Sequence, residues 1–450
     1  MSGAGYVARS AGFADGRDSP VAALAEGLAR IAARENEVRA FVQIDTDTAR
    51  AEAEASARRW RDGSPLSPLD GMAVGIKDII ETREFPTAQG SPTLPPLSTR
   101  RDSASVQALR AGGAIVLGKT VTTEFASTEL FADTRNPHDP RRTPGGSSSG
   151  SAAAVGAGFV PLALGSQVVG STIRPASYNG AVGFKPTYGA LNRGGSYDYL
   201  SQSSVGVIGA TLEDVWVSAR LIARMVGGDP GHPGLLGPDS LPDALRPTSL
   251  VVLETDGWAA RTPGASAAFE TACDRLAALG IRIVTRRDDP RAEAAEQALA
   301  GALDLTWSIM AREFVWPLGT LHAQNPDWVS PPMRERLAAG ENLGQASYIE
   351  ALRRREAVRD VYRALMADHD AAITLAATGA APIGFETTGN PDFNVPASLL
   401  GTPALTLPLL ADEGLPLGLQ IMGVPGGDAR LAAIGAWAAD ALGPDGGRRG

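Results

Sequence analysis

Apolar side chains recur at the spacing of a helix face near the start of the chain and predict a helix over residues 19–39. Ser19 has a side chain that caps helix N-termini, and Pro20 suits the first turn. A polar, alanine-rich stretch follows and predicts further helix to about residue 61. The apolar face of the first helix consists of Val21, Leu24, Leu28 and Ile31.

Short apolar runs farther along the chain predict buried strands, and helical patterns lie between several of them. The predicted strands are 73–76, 114–117, 160–164, 182–184, 250–253, 281–284, 404–410 and 417–422, and the helices are 103–110, 151–158, 266–279 and 429–442. Ser347 and Glu350 have the spacing of a capping box for another helix. This alternation is typical of an α/β fold with a mixed sheet. No internal repeat or low-complexity linker divides the sequence, so residues 1–450 are predicted to form one domain.

Composition and charge narrow the classes of function. Apolar residues make up 44% of the chain and charged residues 20%, which excludes a disordered protein. The 41 Lys and Arg against 50 Asp and Glu give a net charge of −9, which does not favour nucleic-acid binding. The single cysteine, Cys273, excludes an intramolecular disulfide and a multi-cysteine metal site.

Two stretches of the sequence indicate where in the cell the protein is expected. The N-terminal residues lack the apolar run of a secretory signal, and the weakly polar run 151–165 contains Pro161 and is too short to span a bilayer. We therefore expect a cytoplasmic protein, a monomer or homodimer, that acts on a small molecule. No metal, cofactor, nucleic acid or membrane partner is expected.

Residues 113–120 match the P-loop pattern of nucleotide-binding proteins, GxxxxGK[ST], in every letter. That pattern requires a strand followed by a loop whose amide groups surround phosphate. Here residues 114–117, between the two glycines, are themselves the predicted strand, so Lys119 and Thr120 would lie at a strand end. A nucleotide site is therefore the weaker interpretation.

Residues 146–150 match the GxSxG nucleophile elbow of α/β-hydrolases, with Ser148 as the nucleophile. An elbow needs a strand leading into it, whereas residues 136–144 contain three prolines and no apolar run. The histidines that would have to supply the base lie in polar surroundings; they are His232, His322 and His369. As with the P-loop match, the neighbouring residues lack the structure that the motif requires, so a nucleophile elbow is also a weaker interpretation.

A third pattern uses several segments at once. A lysine follows an apolar run, a glycine–serine loop enters a predicted helix, and a second serine follows a strand and a glycine turn. The segments are Gly75–Asp78, 144–155, 165–177 and 183–189. Together they resemble the amidase signature family, and the resemblance extends over about 38–220 and 390–442.

The resemblance implies a large twisted mixed β-sheet with helices on both faces, and a catalytic set at Lys77, Ser147 and Ser171. Ser171 would be the nucleophile, Ser147 a bridging serine that follows a cis peptide bond, and Lys77 the general base. The implied reaction is acyl transfer through an acyl-enzyme. The implied oxyanion hole consists of the backbone N–H groups of Val168, Val169, Gly170 and Ser171.

Elementary chemistry is compatible with these roles. A serine hydroxyl is a poor nucleophile unless a base takes its proton. A lysine can be that base only when it is neutral, which requires a pKa lowered from about 10.4 to about 7–8. The apolar flank 72–76 is compatible with burial of Lys77, which lowers the pKa of an amine. The alternative is an ion pair with Asp78, but adjacent residues of a strand point to opposite faces.

Substrate contacts are predicted from two regions. Ser127 and Thr128 are expected to line the pocket. The section 225–385, which is partly helical, is expected to cover the active site, and its large apolar residues either form a wall of the pocket or pack in the core. These residues are Trp307, Met310, Phe314, Trp316 and Trp328.

Several positions depart from the commonest family pattern. Gln167 stands where an Asp is usual, Ser203 where an Asp is frequent, and Tyr178–Asn179 where a Phe–Cys pair is familiar. Gln167 favours a stand-alone hydrolase of small hydrophobic amides or anilides, with carbamates (urethanes) among the candidate substrates. A glutaminase-type component of a tRNA-dependent amidotransferase, which needs partners, stays open as an alternative, as does a non-catalytic subunit on the same scaffold.

Overall fold

A single mixed sheet of eleven strands runs through the part of the chain that the structure, a computed structural model, describes: residues 5–127 and 133–443. The strands are β1 (Phe41–Ile44), β2 (Ala73–Lys77), β3 (Ile115–Thr120), β4 (Leu162–Gln167), β5 (Val182–Lys185), β6 (Ser204–Gly209), β7 (Ser249–Val252), β8 (Arg282–Val284), β9 (Ala371–Leu375), β10 (Ala404–Asp412) and β11 (Leu415–Met422). Their order in the sheet is β1-β3-β2-β4-β6-β5-β10-β11-β9-β7-β8. β2 runs parallel to β3 and β4, and β7 runs parallel to β8 and β9, while the other neighbours are antiparallel. The predicted α/β class with a mixed sheet is confirmed.

Helices connect most of the strands. Within the described residues they are α1 (Tyr6–Ser10), α2 (Pro20–Val38), α3 (Thr46–Arg61), α4 (Ala104–Ala111), α5 (Ser149–Gly156), α6 (Ile173–Tyr178), α7 (Leu212–Val226), α8 (Pro263–Ala278), α9 (Pro290–Leu299), α10 (Ala302–Gln324), α11 (Pro331–Asn342), α12 (Gln345–Met366), α13 (Val395–Leu399) and α14 (Asp428–Leu442). None of them is long and apolar enough to cross a membrane. The cytoplasmic location stays a prediction.

Alternate residues of β3 show that helices cover both faces of the sheet. Ile115 and Leu117 lie in a hydrophobic cluster with α2, α3 and α5, whereas Val116 lies in a cluster with α4 and α7. β2 follows the same alternation, with Ala73 on the first face and Val74 on the second. Because successive side chains of a strand point to opposite faces, each face of the sheet needs its own helical layer.

The structure corrects part of the prediction from sequence. The capping box at Ser347 and Glu350 is wrong, because Gly344 takes the extended backbone that precedes the helix and α12 begins at Gln345. Ser347 therefore lies within the first turn. Three strands were missed, namely β1, β6 and β9. The remaining predicted strands and helices are present, with ends that differ by a few residues.

The section 225–385 forms part of the sheet itself. It supplies β7, β8 and β9, which extend the same sheet beyond β11, and it also supplies α10 and α11, which pack against each other. α10 carries the residues that approach the site described below.

Candidate active site

Lys77 lies at the end of β2, with its side chain fully buried. The alternation of β2 gives Lys77 the face of Ala73, which is the face that α5 covers. Its Nζ lies 2.7 Å from Ser147 Oγ, just ahead of α5, and 2.8 Å from Ser166 Oγ in β4. Lys77 and Ser147 are thus within hydrogen-bond distance, as the resemblance implies.

Burial changes the protonation of Lys77. Loss of contact with water disfavours the ammonium form and lowers the pKa of Lys77 to about 7, while the negative charge of Asp198 acts in the opposite direction. The alternative ion pair with Asp78 is not formed. Asp78 Oδ1 instead lies 2.9 Å from Lys119 Nζ, on the neighbouring strand. A large neutral fraction of Lys77 is therefore available at neutral pH, as a general base requires.

The loop that carries Ser147 is held from two sides. The Gly146–Ser147 peptide bond is cis, and the preceding Gly145 has φ of +78°. Arg174 Nη2 donates to the carbonyl oxygen of Gly146 at 2.9 Å, and its Nε donates to the carbonyl oxygen of Thr388 at 2.7 Å. A Cβ at Gly146 would lie 2.6 Å from Thr388 Cγ2, so only glycine fits there without movement of a neighbour.

Ser171 lies in the turn between β4 and α6. Gln167 Oε1 accepts hydrogen bonds from the amides of Thr172 and Ile173, both at 3.0 Å, and so caps the N-terminus of α6. The amide of Ser148 donates to the carbonyl oxygen of Ser171 at 3.3 Å, which connects the two serine loops. Ser171 is largely buried, at 7% exposure. The departure at Gln167 thus has a structural role beside the turn that carries Ser171.

The amides proposed for the oxyanion hole are unused in the described part of the chain. The backbone N–H groups of Val168, Val169, Gly170 and Ser171 donate no hydrogen bond to any described residue. A Cβ at Gly170 would lie 2.6 Å from Arg174 Nη1 and 2.8 Å from Asn394 Oδ1. Glycine is therefore required at 170 for the turn to stay as close to these side chains. Backbone donors left unused in a turn are suited to bind a negatively charged oxygen.

A cavity of about 180 Å³ opens beside this turn. It is lined by Val168, by Phe125 and Ala126, by residues 197–200, and by α10 residues between 314 and 321. Most of the lining is apolar, and the polar exceptions are Gln89, Tyr197, Asp198, Tyr199 and Thr320. The cavity can therefore hold an apolar group next to Val168, in the turn that leads to Ser171.

The large apolar residues that were predicted to form a wall of the pocket or to pack in the core do both. Phe314 and Trp316 line the cavity, whereas Met310 is fully buried in the core. Trp307 stacks against Arg336, with the guanidinium carbon 3.9 Å from the ring centroid, and Trp328 packs at the edge of the same core cluster. α10 therefore serves both the pocket and the core.

Ser127 and Thr128 were both predicted to line the pocket, and the structure describes only Ser127. Ser127 Oγ accepts a hydrogen bond from Arg336 Nη1 at 3.2 Å, and Phe125 and Ala126, just before it, line the cavity instead. Thr128 lies outside the described residues. A substrate contact by Ser127 or Thr128 stays a prediction.

The residues of the P-loop match and of the nucleophile-elbow match make other interactions in the structure. Lys119 is part of β3, and its Nζ donates to Thr87 Oγ1 at 2.7 Å besides the ion pair with Asp78, so no phosphate loop is formed. Ser148 is fully buried, and its Oγ accepts a hydrogen bond from the amide of Ser166 at 3.3 Å. Among the residues described, no group of three or more His, Cys, Asp or Glu could hold a metal ion.

Several site residues were not predicted from sequence. They are Ser166, Arg174, Asp198 and Thr388. Ser166 and Arg174 lie inside a segment that carries the family resemblance, so their position was a signal. Asp198 and Thr388 lie in segments without regular periodicity, and only the folded chain brings them to the site.

Comparisons with known proteins show what this chain is similar to. Residues 22–432 match the sequence model of the Amidase family. The chain is 34% identical to one subunit of the glutamyl-tRNA(Gln) amidotransferase of Chloroflexus aurantiacus, over 91% of this chain and 90% of that protein. It is also 34% identical to AtzE, which is a subunit of the 1-carboxybiuret hydrolase of Pseudomonas sp., over 92% and 93%. A crystal structure of an amidase superposes with a TM-score of 0.83 at 28% identity, covering 96% of this chain and 99% of that one.

Proposed function

This chain belongs to the amidase signature family, whose members hydrolyse amide C–N bonds, and on that premise we propose that it is a serine amidase with Ser171 as the nucleophile. Ser147 transfers the proton and Lys77 is the general base. The observation that carries the proposal is the 2.7 Å distance between Lys77 Nζ and Ser147 Oγ at a fully buried lysine.

The proposed reaction has two halves. Ser171 Oγ bonds to the amide carbonyl carbon while its proton passes to Ser147 Oγ, which gives its own proton to neutral Lys77 Nζ. The C–N bond then breaks, and the leaving nitrogen receives the proton back by the same route, leaving an acyl-enzyme. Water attacks the ester in the same way and releases the acid. A positioned base of this kind contributes about 10²–10⁴-fold to the rate.

The charge that develops on the carbonyl oxygen needs donors. The unused amides of residues 168–171 support an oxyanion hole in this turn. Such a donor typically contributes about 10²–10³-fold to the rate, because it is already oriented before the charge forms. Gly170 keeps the turn free of a side chain at the point where Arg174 and Asn394 approach.

The cavity supports a substrate with an apolar group. Phe125, Leu200 and Phe314 are buried side chains that line it, together with Val168. Small hydrophobic amides and anilides are therefore the proposed substrates. Carbamates present the same carbonyl and leaving nitrogen, so the chemistry extends to urethanes.

A second candidate function is that of an amidotransferase component that needs partners. The observation that favours it is the 34% identity with one subunit of a glutamyl-tRNA(Gln) amidotransferase over nearly the whole chain. The stand-alone function predicts that the purified chain, as a monomer or homodimer, hydrolyses amides without another protein. The partner-dependent function predicts hydrolysis of glutamine only after partners are added.

The test of the proposed function is hydrolysis of a panel of anilides and carbamates by the purified chain alone, with Ser171→Ala as control. We expect turnover by the wild-type protein and none by the variant, whose thermal melt should be nearly unchanged. Normal turnover by Ser171→Ala would overturn the assignment of the nucleophile.

A further inference from the structure

Asp198 is a carboxylate in a cavity whose other walls are mostly apolar. The residue is 7% exposed. Among the described residues, no lysine, arginine or histidine forms an ion pair with this carboxylate, and no donor hydrogen-bonds to it. Asp198 lines the cavity, so a cationic group of a substrate bound there can supply the ionic partner that the described residues do not.

The nearby guanidinium does not fill that role. Arg193 Nε lies 2.6 Å from Asp229 Oδ2, which pairs the charge of the arginine elsewhere. Its Nη1 donates to the backbone carbonyl oxygens of Asp198, at 3.2 Å, and Leu200, at 2.8 Å. Arg193 thus fixes the backbone of residues 198–200. The charges of Arg193 and Asp198 attract each other through space without an ion pair, and Asp198 still lines the cavity.

Lys77 does not neutralise Asp198 either. The two groups interact through space, since the charge of Asp198 opposes the fall in the pKa of Lys77, but they form no ion pair. Lys77 Nζ is directed to Ser147 and Ser166 instead. The base and the carboxylate are therefore separate parts of one site.

Three aromatic rings line the same cavity as the carboxylate, namely those of Tyr197, Tyr199 and Trp316. The centroids of Tyr197 and Tyr199 are 6.2 Å apart, and those of Tyr199 and Trp316 are 6.1 Å apart, with both pairs edge-to-face. The hydroxyl of Tyr197 donates to Glu81 at 2.9 Å, which fixes this ring. Tyr199 and Trp316 are 58% and 71% exposed, so their rings are accessible to an entering molecule.

A carboxylate beside several aromatic rings is a combination that binds organic cations. Aromatic faces attract a positive charge through the ring quadrupole, and the attraction is larger where water is excluded. A neutral apolar substrate would use the walls of the cavity but would leave Asp198 without a partner. A substrate with an apolar body and a cationic end uses both.

We propose that the preferred substrates are amides that carry a positively charged nitrogen, which Asp198 binds while the rings of Tyr197, Tyr199 and Trp316 surround it. This rests on the proposed function, because it assigns a substrate class to the same site. The cavity of about 180 Å³ limits the cationic group to the size of an amino-acid side chain.

The test compares matched pairs in which an ammonium replaces a methyl group. One pair carries the charge on the acyl side, 5-aminopentanoyl and hexanoyl 4-nitroanilide. The other carries it on the leaving amine, the acetamides of 4-(aminomethyl)aniline and 4-ethylaniline. We expect wild-type kcat/KM to favour the cationic member of at least one pair by about tenfold or more.

Asp198→Asn is the decisive variant, and the ratio within a pair is the readout, because an altered pKa of Lys77 affects both members alike. We expect the cationic preference to fall to about parity in Asp198→Asn. In Trp316→Ala, which keeps the carboxylate and whose exposed side chain can be removed without harm to the core, the preference should weaken by about two- to fivefold. Asp243→Asn, at an exposed loop position, is the matched control and should keep the preference.

Binding to Ser171→Ala, measured by calorimetry, separates this inference from the proposed function. Tighter binding of the cationic members, lost in the double variant with Asp198→Asn, supports the inference even if another residue proves to be the nucleophile. Equal or weaker binding of the cationic members in both pairs, or a preference that survives Asp198→Asn, overturns it.

Discussion

Lys77 Nζ lies 2.7 Å from Ser147 Oγ, and no water-exposed surface remains on the lysine side chain. Burial also disfavours the charged amine and lowers the pKa of Lys77 to about 7. The lysine is thereby suited to accept a proton at neutral pH.

The pH dependence of kcat/KM should report this lysine. Because burial lowers the pKa of Lys77 to about 7, the base is protonated and inactive below that pH and neutral above it. We expect the rate to fall about tenfold per pH unit below pH 7 and to level off above it. Asp198→Asn removes the charge that raises this pKa, so the falling limb should move to lower pH. A profile that is flat between pH 5 and 9 would contradict the account.

Two buried lysines should respond differently to replacement by methionine. Lys119→Met leaves the Asp78 carboxylate buried and unpaired, which should cost about 3–5 kcal/mol of unfolding free energy in urea denaturation. Lys77→Met leaves no ion-paired carboxylate behind, so it should lose activity with a smaller loss of stability. Equal losses of stability in the two variants would argue against their separate roles.

Gln167→Ala should affect both stability and rate. Oε1 of Gln167 accepts the amides of Thr172 and Ile173, and loss of this acceptor leaves two buried donors unsatisfied. We expect a loss of about 1–3 kcal/mol in unfolding free energy and a lower kcat, because the turn that carries Ser171 is no longer held. Unchanged kcat together with unchanged stability would show that the cap does not support the nucleophile.

Gly170→Ala should lower kcat while the protein stays folded. The added Cβ would lie 2.6 Å from Arg174 Nη1, so the turn or the arginine must move. Misplacement of a reacting group by about 1 Å can cost about 10²-fold in rate. Gly344→Ala is the matched control, since nothing lies within 4 Å of its added Cβ. Equal activities of the two variants in the anilide assay would contradict a tightly fitted turn.

The sequence predicted those parts of the site that depend on local pattern. Strand alternation was enough to separate Lys77 from Asp78, and the apolar run before Lys77 was enough to expect burial. The loops at Ser147 and Ser171 were identified through their resemblance to the glycine–serine motif of the amidase signature family. Each of these features can be recognised within a short stretch of the sequence.

The missing parts depend on contacts between distant segments. Ser166 reaches Lys77 because β2 and β4 are neighbours in the sheet. Asp198 lines the cavity in a segment whose backbone accepts a hydrogen bond from Arg193. β6 was missed because Gly206 and Gly209 interrupt its apolar pattern, although it pairs with strands on both sides. The section 225–385 showed no resemblance to the family when the sequence was read alone. It lies within the residues that match the family model and supplies three strands of the sheet.

The central claim is that Ser171 is an activated nucleophile, and covalent labelling with a fluorophosphonate followed by peptide mass spectrometry tests it most directly. We predict a single adduct on Ser171, lost in Ser171→Ala and strongly slowed in Lys77→Met. An adduct on Ser148 or on another serine that persists in Ser171→Ala, or no adduct on folded wild-type protein, would contradict the account.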